Sequence, residues 1–279
     1  MEACLDRAAV LTDSKGNIRI KAQNNKQDII YGTLAMLALL TVYAFISFEY
    51  KQLDYGAAFL ESALNIFTMF TQPIAYHFTI AEAASQLLTT VALALLTTVF
   101  GSVVALILGL LAAKNLTSNK VSNRIKGFVA FIRAVPTVLW VLIFAVSAGL
   151  GSVAAVIGLS FHSVGYLIKC YSEAFEEIDY GVIEALKASG ANWWQIIFQA
   201  VLPASITYLL AWTFIRFEIN FINAVAMGAA AGAGGIGYEL FMAGNFYYNI
   251  REIGYIVYLV LAFTLVLELC SNRIKAGIK

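Results

Sequence analysis

Charge is what this sequence has least of. Asp, Glu, Lys and Arg together make up 13% of its 279 residues, about half the share usual in water-soluble domains, and the formal net charge of +1 offers no basic field for nucleic acid. Cysteine is nearly absent: Cys4, Cys170 and Cys270 are far apart and form no CxxC pair. That excludes a disulfide scaffold and a zinc site and leaves free thiols. Histidine occurs only at His77 and His162, with no HExxH or comparable spacing, so no metal centre is expected. No string of the form GxxxxGKS or GxxxxGKT occurs either. The chain therefore carries no P-loop of its own.

What fills the chain instead is apolar: 61% of residues are hydrophobic and the mean hydropathy is +0.79. The fold class this implies is all-α, a polytopic helical bundle in a membrane. Runs close to the roughly 20 residues that a bilayer core requires occur at 29–48, 85–113, 128–148, 153–170, 204–227 and 253–269, giving about six spans. The first is too long for a signal-peptide core and reads as an uncleaved span. With residues 1–28 as a cytoplasmic arm, the inside segments hold most of the Lys and Arg, while the outside keeps only Lys51 and Arg251. The positive-inside rule then puts both termini in the cytoplasm, in a multi-pass protein of the plasma or inner membrane.

Residues 29–279 form the transmembrane domain in this reading. Its segment 56–82, broken by Pro73 and carrying Glu61, Asn65 and His77, reads as an external amphipathic or re-entrant helix. Within the arm, 12–20 reads as a turn about Ser14-Lys15-Gly16-Asn17. The absence of a long internal repeat makes one chain half of a pathway.

The stretch 171–202 is too acidic for lipid, with Glu173, Glu176, Glu177, Asp179 and Glu184. Asp179 is placed to cap a short helix running to Ser189, and Gly190 to supply a left-handed stop. Asn192 and Gln195 have the spacing of a capping box, and Pro203 breaks or opens the next span. As an ordinary connection this loop would simply lay Trp193 and Trp194 at the headgroups.

Glu184-Ala185-Leu186, then Gly190, then Ala200-Val201-Leu202-Pro203 resembles the EAA loop of ABC-importer permeases, with Ala200 where isoleucine is commoner. In that family the loop forms coupling helices that dock in a groove of the cytoplasmic ATPase. The resemblance therefore implies that Glu184, Ala185, Gly190, Leu202 and Pro203 serve coupling. It also implies a cytoplasmic ABC ATPase dimer using ATP and magnesium, a second permease copy, and an external substrate-binding protein, with no cofactor bound by this chain.

Four further strings are similar to the phosphonate branch: Ala112-Ala113-Lys114-Asn115, Arg133-Ala134-Val135-Pro136, His162-Ser163 with Lys169 and Glu173, and Arg216-Phe217-Glu218 with Asn220. Ile222 departs from that branch by standing where a second arginine is usual. The resemblance implies a phosphonate or related phosphorus oxyanion, with Arg133, Arg216, Glu218 and Asn220 along its path. Methionine-type permeases share the string from Gly232 to Gly237, so a methionine-like solute is the alternative cargo.

Gly232, Gly234 and Gly237 also satisfy GxGxxG, but they follow a membrane span rather than a strand. With Gly235 they read as tight turns or close packing near the outer mouth. His162 reads as a satisfied interhelical hydrogen bond, Lys169 and Glu173 as an i,i+4 pair, and Tyr247, Tyr248 and Tyr255 as an interfacial belt. Counted from Pro203, Arg216 lies roughly 20 Å along its helix. Glu218, two residues on, faces elsewhere. Arg216 therefore either attracts an oxyanion or pairs with Glu218 of the second copy, whereas Arg133 is near enough to the cytoplasmic edge to reach the interface. An ion-coupled secondary transporter would need intramembrane carboxylates, of which Glu218 is the deep one. A membrane-embedded enzyme would need a nucleophile, base and orienter together, and no such cluster is visible.

Overall fold

Helix follows helix, with no strand among the described residues, because lipid leaves a backbone amide no partner except its own helix. The computed structural model describes residues 25–47 and 54–277. The turn expected at 12–20 and Cys4 lie outside the described residues. The elements are α1 (Asn25–Ser47), α2 (Tyr55–Thr71), α3 (Ile80–Ala112), α4 (Asn119–Ala134), α5 (Thr137–Ala148), α6 (Ser152–Glu176), α7 (Tyr180–Ala188), α8 (Trp193–Ile196), a π-turn (Ile197–Val201), α9 (Leu202–Ala231), α10 (Ile236–Asn245) and α11 (Ile250–Gly277). By contacts the chain separates into Met1–Leu60 and Glu61–Lys279. The first unit contributes the long apolar α1. The second holds the packed bundle described below.

Small residues set that packing. Along α3, Ala94, Thr98, Gly101, Ala105, Gly109 and Ala112 are buried at helical spacing, and they let α6 come close. A Cβ on Gly101 would stand 2.9 Å from the Ser163 Cβ, and one on Gly109 3.1 Å from the Tyr171 Cβ. Because Gly101 meets Ser163 and the later Gly109 meets the later Tyr171, α3 and α6 run parallel. The chain between them must therefore return across the bundle, and α4 with α5 makes that return.

That return corrects the straight span expected at 128–148. Asn119–Ala134 and Thr137–Ala148 are separate helices bent by 88°. Pro136 has no amide hydrogen to continue the helix, and it holds Val135 in extended geometry at φ −89°, ψ 125°. The Trp140 indole closes the corner by donating to the Ile132 carbonyl at 3.0 Å. At 12 residues, α5 is only about 18 Å long, short of the hydrocarbon thickness. Among the described residues five other helical runs are long and apolar enough to cross, and the bent pair, taken as one span, brings the total to six.

The run Trp193–Ala231 is continuous for 39 residues, so Pro203 does not break it. The π-turn just before the proline, in which the Leu202 amide donates to the Ile197 carbonyl, widens the helix where the ring would crowd the preceding turn. At the opposite end of the bundle, α9 stops at Gly232 in left-handed geometry. Gly234 and Gly235 also have positive φ, at 79° and 72°, and the Ile236 amide donates to Thr90 Oγ1 at 3.0 Å. These glycines make the turn and the close approach the sequence suggested.

Gly237 has no room for any side chain, since its Cβ would overlap the Val225 carbonyl. Gly237→Val is expected to cost about 3 kcal/mol or more by overpacking. Gly127→Ala, in open space on α4, should instead stabilise by up to about 1 kcal/mol through helix propensity. Thermal unfolding in detergent checks both; an unchanged midpoint for Gly237→Val would refute the packing argument.

Candidate functional site

The loop between α6 and α9 is built from local hydrogen bonds. Asp179 accepts from the Gly181 amide at 3.0 Å to start α7, and fully buried Ile183 anchors that helix. At its end Gly190 has φ +85°. The Ala191 amide reaches back to the Leu186 carbonyl and the Gly190 amide to that of Lys187, both at 3.0 Å, a Schellman stop. Asn192 and Gln195 then exchange reciprocal bonds of 2.9 and 2.7 Å, the capping box that opens α8. Trp193 is tied by its indole to the Leu116 carbonyl at 3.0 Å. Glu184, Ala185, Gly190 and Pro203 are exposed and Leu202 is half-buried. The result is a rigid knob fixed to the loop-side end of α3.

Deeper, polar side chains from three helices form one web. Asn220 of α9 donates to Thr98 Oγ1 of α3 at 2.9 Å. Its Oδ1 lies 3.0 Å from Ser163 Oγ of α6, which accepts from Arg216 Nε at 3.0 Å. Arg216 Nη2 donates to His162 Nδ1 at 3.2 Å, and the guanidinium lies 5.1 Å over the Tyr166 ring. Arg216 is 2% exposed. No carboxylate among the described residues pairs with it. Two of its five N–H donors are used. Among the described residues Nη1 has no hydrogen-bond partner. The sequence-predicted histidine hydrogen bond is therefore present, and its donor is the arginine.

The other predicted residues divide. Asn220 joins the web. Glu218 does not: it is half-buried, with Oε1 enclosed and lacking a hydrogen-bond partner. Arg133 is exposed on α4 and makes none of the web's hydrogen bonds. The glycines 232–237 lie at the end of the bundle remote from the loop. Lys169 and Glu173 stand 3.6 Å apart, as expected.

Sequence reasoning missed a cluster at that remote end. Glu252, fully buried, accepts from the His77 amide at 2.7 Å and lies 2.8 Å from its Nδ1. Tyr247 stacks on the His77 ring at 3.7 Å. Tyr247 thus has a stacking partner at this end of the bundle.

Residues 105–278 match the family described as binding-protein-dependent transport system inner membrane component. The chain is 31% identical over 217 residues to the phosphate-import permease protein PhnE of Mycolicibacterium smegmatis, a match covering 77% of this chain and 40% of that protein. It is 30% identical over 194 residues to the phosphite transport system permease protein PtxC of Stutzerimonas stutzeri, covering 69% of this chain and 70% of the relative. A solved inward-facing form of the MetNI methionine ABC transporter superposes with a TM-score of 0.64 at 22% identity, over 72% of this chain and all of the matched chain. That last likeness is one of fold.

Proposed function

The chain belongs to the family of binding-protein-dependent transport system inner membrane components, the permease subunits of ABC importers, and from that premise we propose that its cargo is a phosphorus oxyanion. The observation that carries this is Arg216: a cation buried in the bundle, held by neutral groups, with no carboxylate among the described residues to balance it. An arginine at such depth costs at least about 2.5 kcal/mol on insertion scales, a cost an anionic ligand offsets. Its planar fork suits a tetrahedral oxyanion. Relatives whose names specify phosphate and phosphite import support the same chemistry.

In this reading a second copy of the chain completes the pathway, and a cytoplasmic ATPase dimer using ATP and magnesium receives α7 and α8. An external substrate-binding protein delivers the anion to the end marked by the glycine turn. Closure of the ATPase moves the two loops and switches the pathway between its inward-open and outward-open states. Both termini lie in the cytoplasm.

The test is uptake into proteoliposomes holding the assembled importer and its binding protein. Phosphite, phosphate or methylphosphonate should accumulate when ATP is supplied, and methionine should not. Methionine uptake without uptake of any phosphorus anion would overturn the cargo. Uptake that persists on an ion gradient with the ATPase removed would overturn the energy source.

A further inference from the structure

Arg216 is not the last cation on its side of the bundle. His162, Tyr166, Lys169 and Glu173 follow one another at helical spacing on α6, and Lys169 lies roughly 10 Å along the helix from His162 toward the loop end. There, α4 and α6 enclose a cleft of about 250 Å³ whose charged and hydroxyl groups are Lys126, Arg133, Lys169, Ser172, Glu173 and Glu176.

The charges in this cleft do not cancel. Glu176 is committed: one oxygen accepts both the Lys114 amide and Lys126 Nζ, each at 2.7 Å. Glu173 is 3.6 Å from Lys169, and both side chains are about half exposed, so their pairing is weak and screened. Arg133 pairs with no carboxylate among the described residues. Gly165 lets Ile132 of α4 pack against α6, since a Cβ there would stand 2.9 Å from Ile132 Cγ2, and the Arg133 stem passes beside the same point. Three cations thus face two carboxylates, with a guanidinium and a loosely held ammonium available beside the Ser172 hydroxyl. The volume is below that of a drug-sized site and suits a small anionic group.

We propose that this α4–α6 cleft is a second anion station, in which Arg133 and Lys169 bind a phosphoryl oxyanion. The oxyanion is either a small anion leaving the pathway or the phosphate of a lipid headgroup. Its use as an exit station rests on the anion reading of Arg216; the binding itself does not.

The test uses the full chain in phosphatidylcholine nanodiscs, with radiolabelled inorganic phosphate in equilibrium dialysis. Arg133→Gln with Lys169→Gln should weaken one class of phosphate site at least tenfold, and Arg216→Gln should weaken another. Arg133→Lys should stay within about threefold of wild type. Adding phosphatidylglycerol distinguishes the sources. Competition of at least tenfold at the cleft class, lost in the double variant, identifies a headgroup; no competition identifies the small anion. Should the double variant leave both phosphate binding and phosphatidylglycerol retention unchanged, the cleft proposal is overturned. Loss of binding in Arg216→Gln alone overturns the cleft and keeps the Arg216 reading, while loss in the double variant alone does the reverse.

Discussion

Arg216→Gln is expected to leave a folded, membrane-inserted protein that has lost anion transport by about 100-fold or more. Hydrogen bonds to a charged group are each worth roughly 1.5–3 kcal/mol, so losing two of them to the anion is a loss of that order. The fold should survive, because the Ser163–Asn220–Thr98 part of the web does not need the guanidinium and removing a buried cation lowers the insertion cost. A melting temperature equal to or above wild type, together with lost uptake, is the expected pair of results. Uptake at the wild-type rate would end the pathway role. Glu218 supplies the competing explanation, since its enclosed Oε1 has no partner among the described residues. If Arg216 served only to pair with Glu218 of a second copy, Glu218→Gln would cause the same loss, and the double variant would be no worse than either single one. If Arg216 binds the anion, Glu218→Gln retains uptake.

Gly190→Val should uncouple transport without removing the protein from the membrane. No atom lies within 4 Å of the position a Cβ would take at Gly190, so size is not the obstacle; the φ of +85° is. Holding a non-glycine residue in that region costs about 1–3 kcal/mol, which depopulates the stopped form of the loop by roughly 5- to 150-fold. The Schellman bonds to Leu186 and Lys187 are then lost, and α8 no longer stands where α7 presents it. ATP-driven uptake should fall in the order Gly190→Asn, Gly190→Ala, Gly190→Val, following tolerance of left-handed geometry rather than volume. Uptake that instead tracked side-chain volume, or Gly190→Val activity equal to wild type with normal membrane levels, would rule out the loop as the coupling element.

The loop was legible in the sequence because its signals are local. Asp179, Gly190, Asn192 and Gln195 act on backbone groups two to five residues apart, so spacing alone reveals them. The web around Arg216 was legible only as a depth and a missing local partner. Which residues hold the guanidinium depends on α6 lying beside α9, and Asn220 meets Thr98 across 122 positions. His77 and Glu252, 175 positions apart, gave no signal at all. The bend at Pro136 had one: Lys120, Arg124 and Lys126 mark the preceding helix as unsuited to the hydrocarbon, and Pro136 follows it. An apolar count beginning at Phe128 ran through both. The π-turn was illegible, because a proline's crowding can be relieved by a break, a kink or an added residue, and only packing selects among them.

By absorbing that added residue, the π-turn keeps the two ends of the long helix in rotational phase. A π-turn is what remains when one residue is inserted into an α-helix, and one residue corresponds to about 100° of rotation. Deleting a single codon within 197–201 would return the stretch to ordinary helical winding. Because the Leu202-to-Ile197 bond closes over one residue more than an α-turn does, such a deletion would leave the loop in register with the guanidinium of Arg216, whereas winding the present residues as plain α-helix would swing the loop by about 100° around the axis. Loop and arginine thus share one shaft, and the π-turn is the keyway that holds them aligned despite a surplus residue.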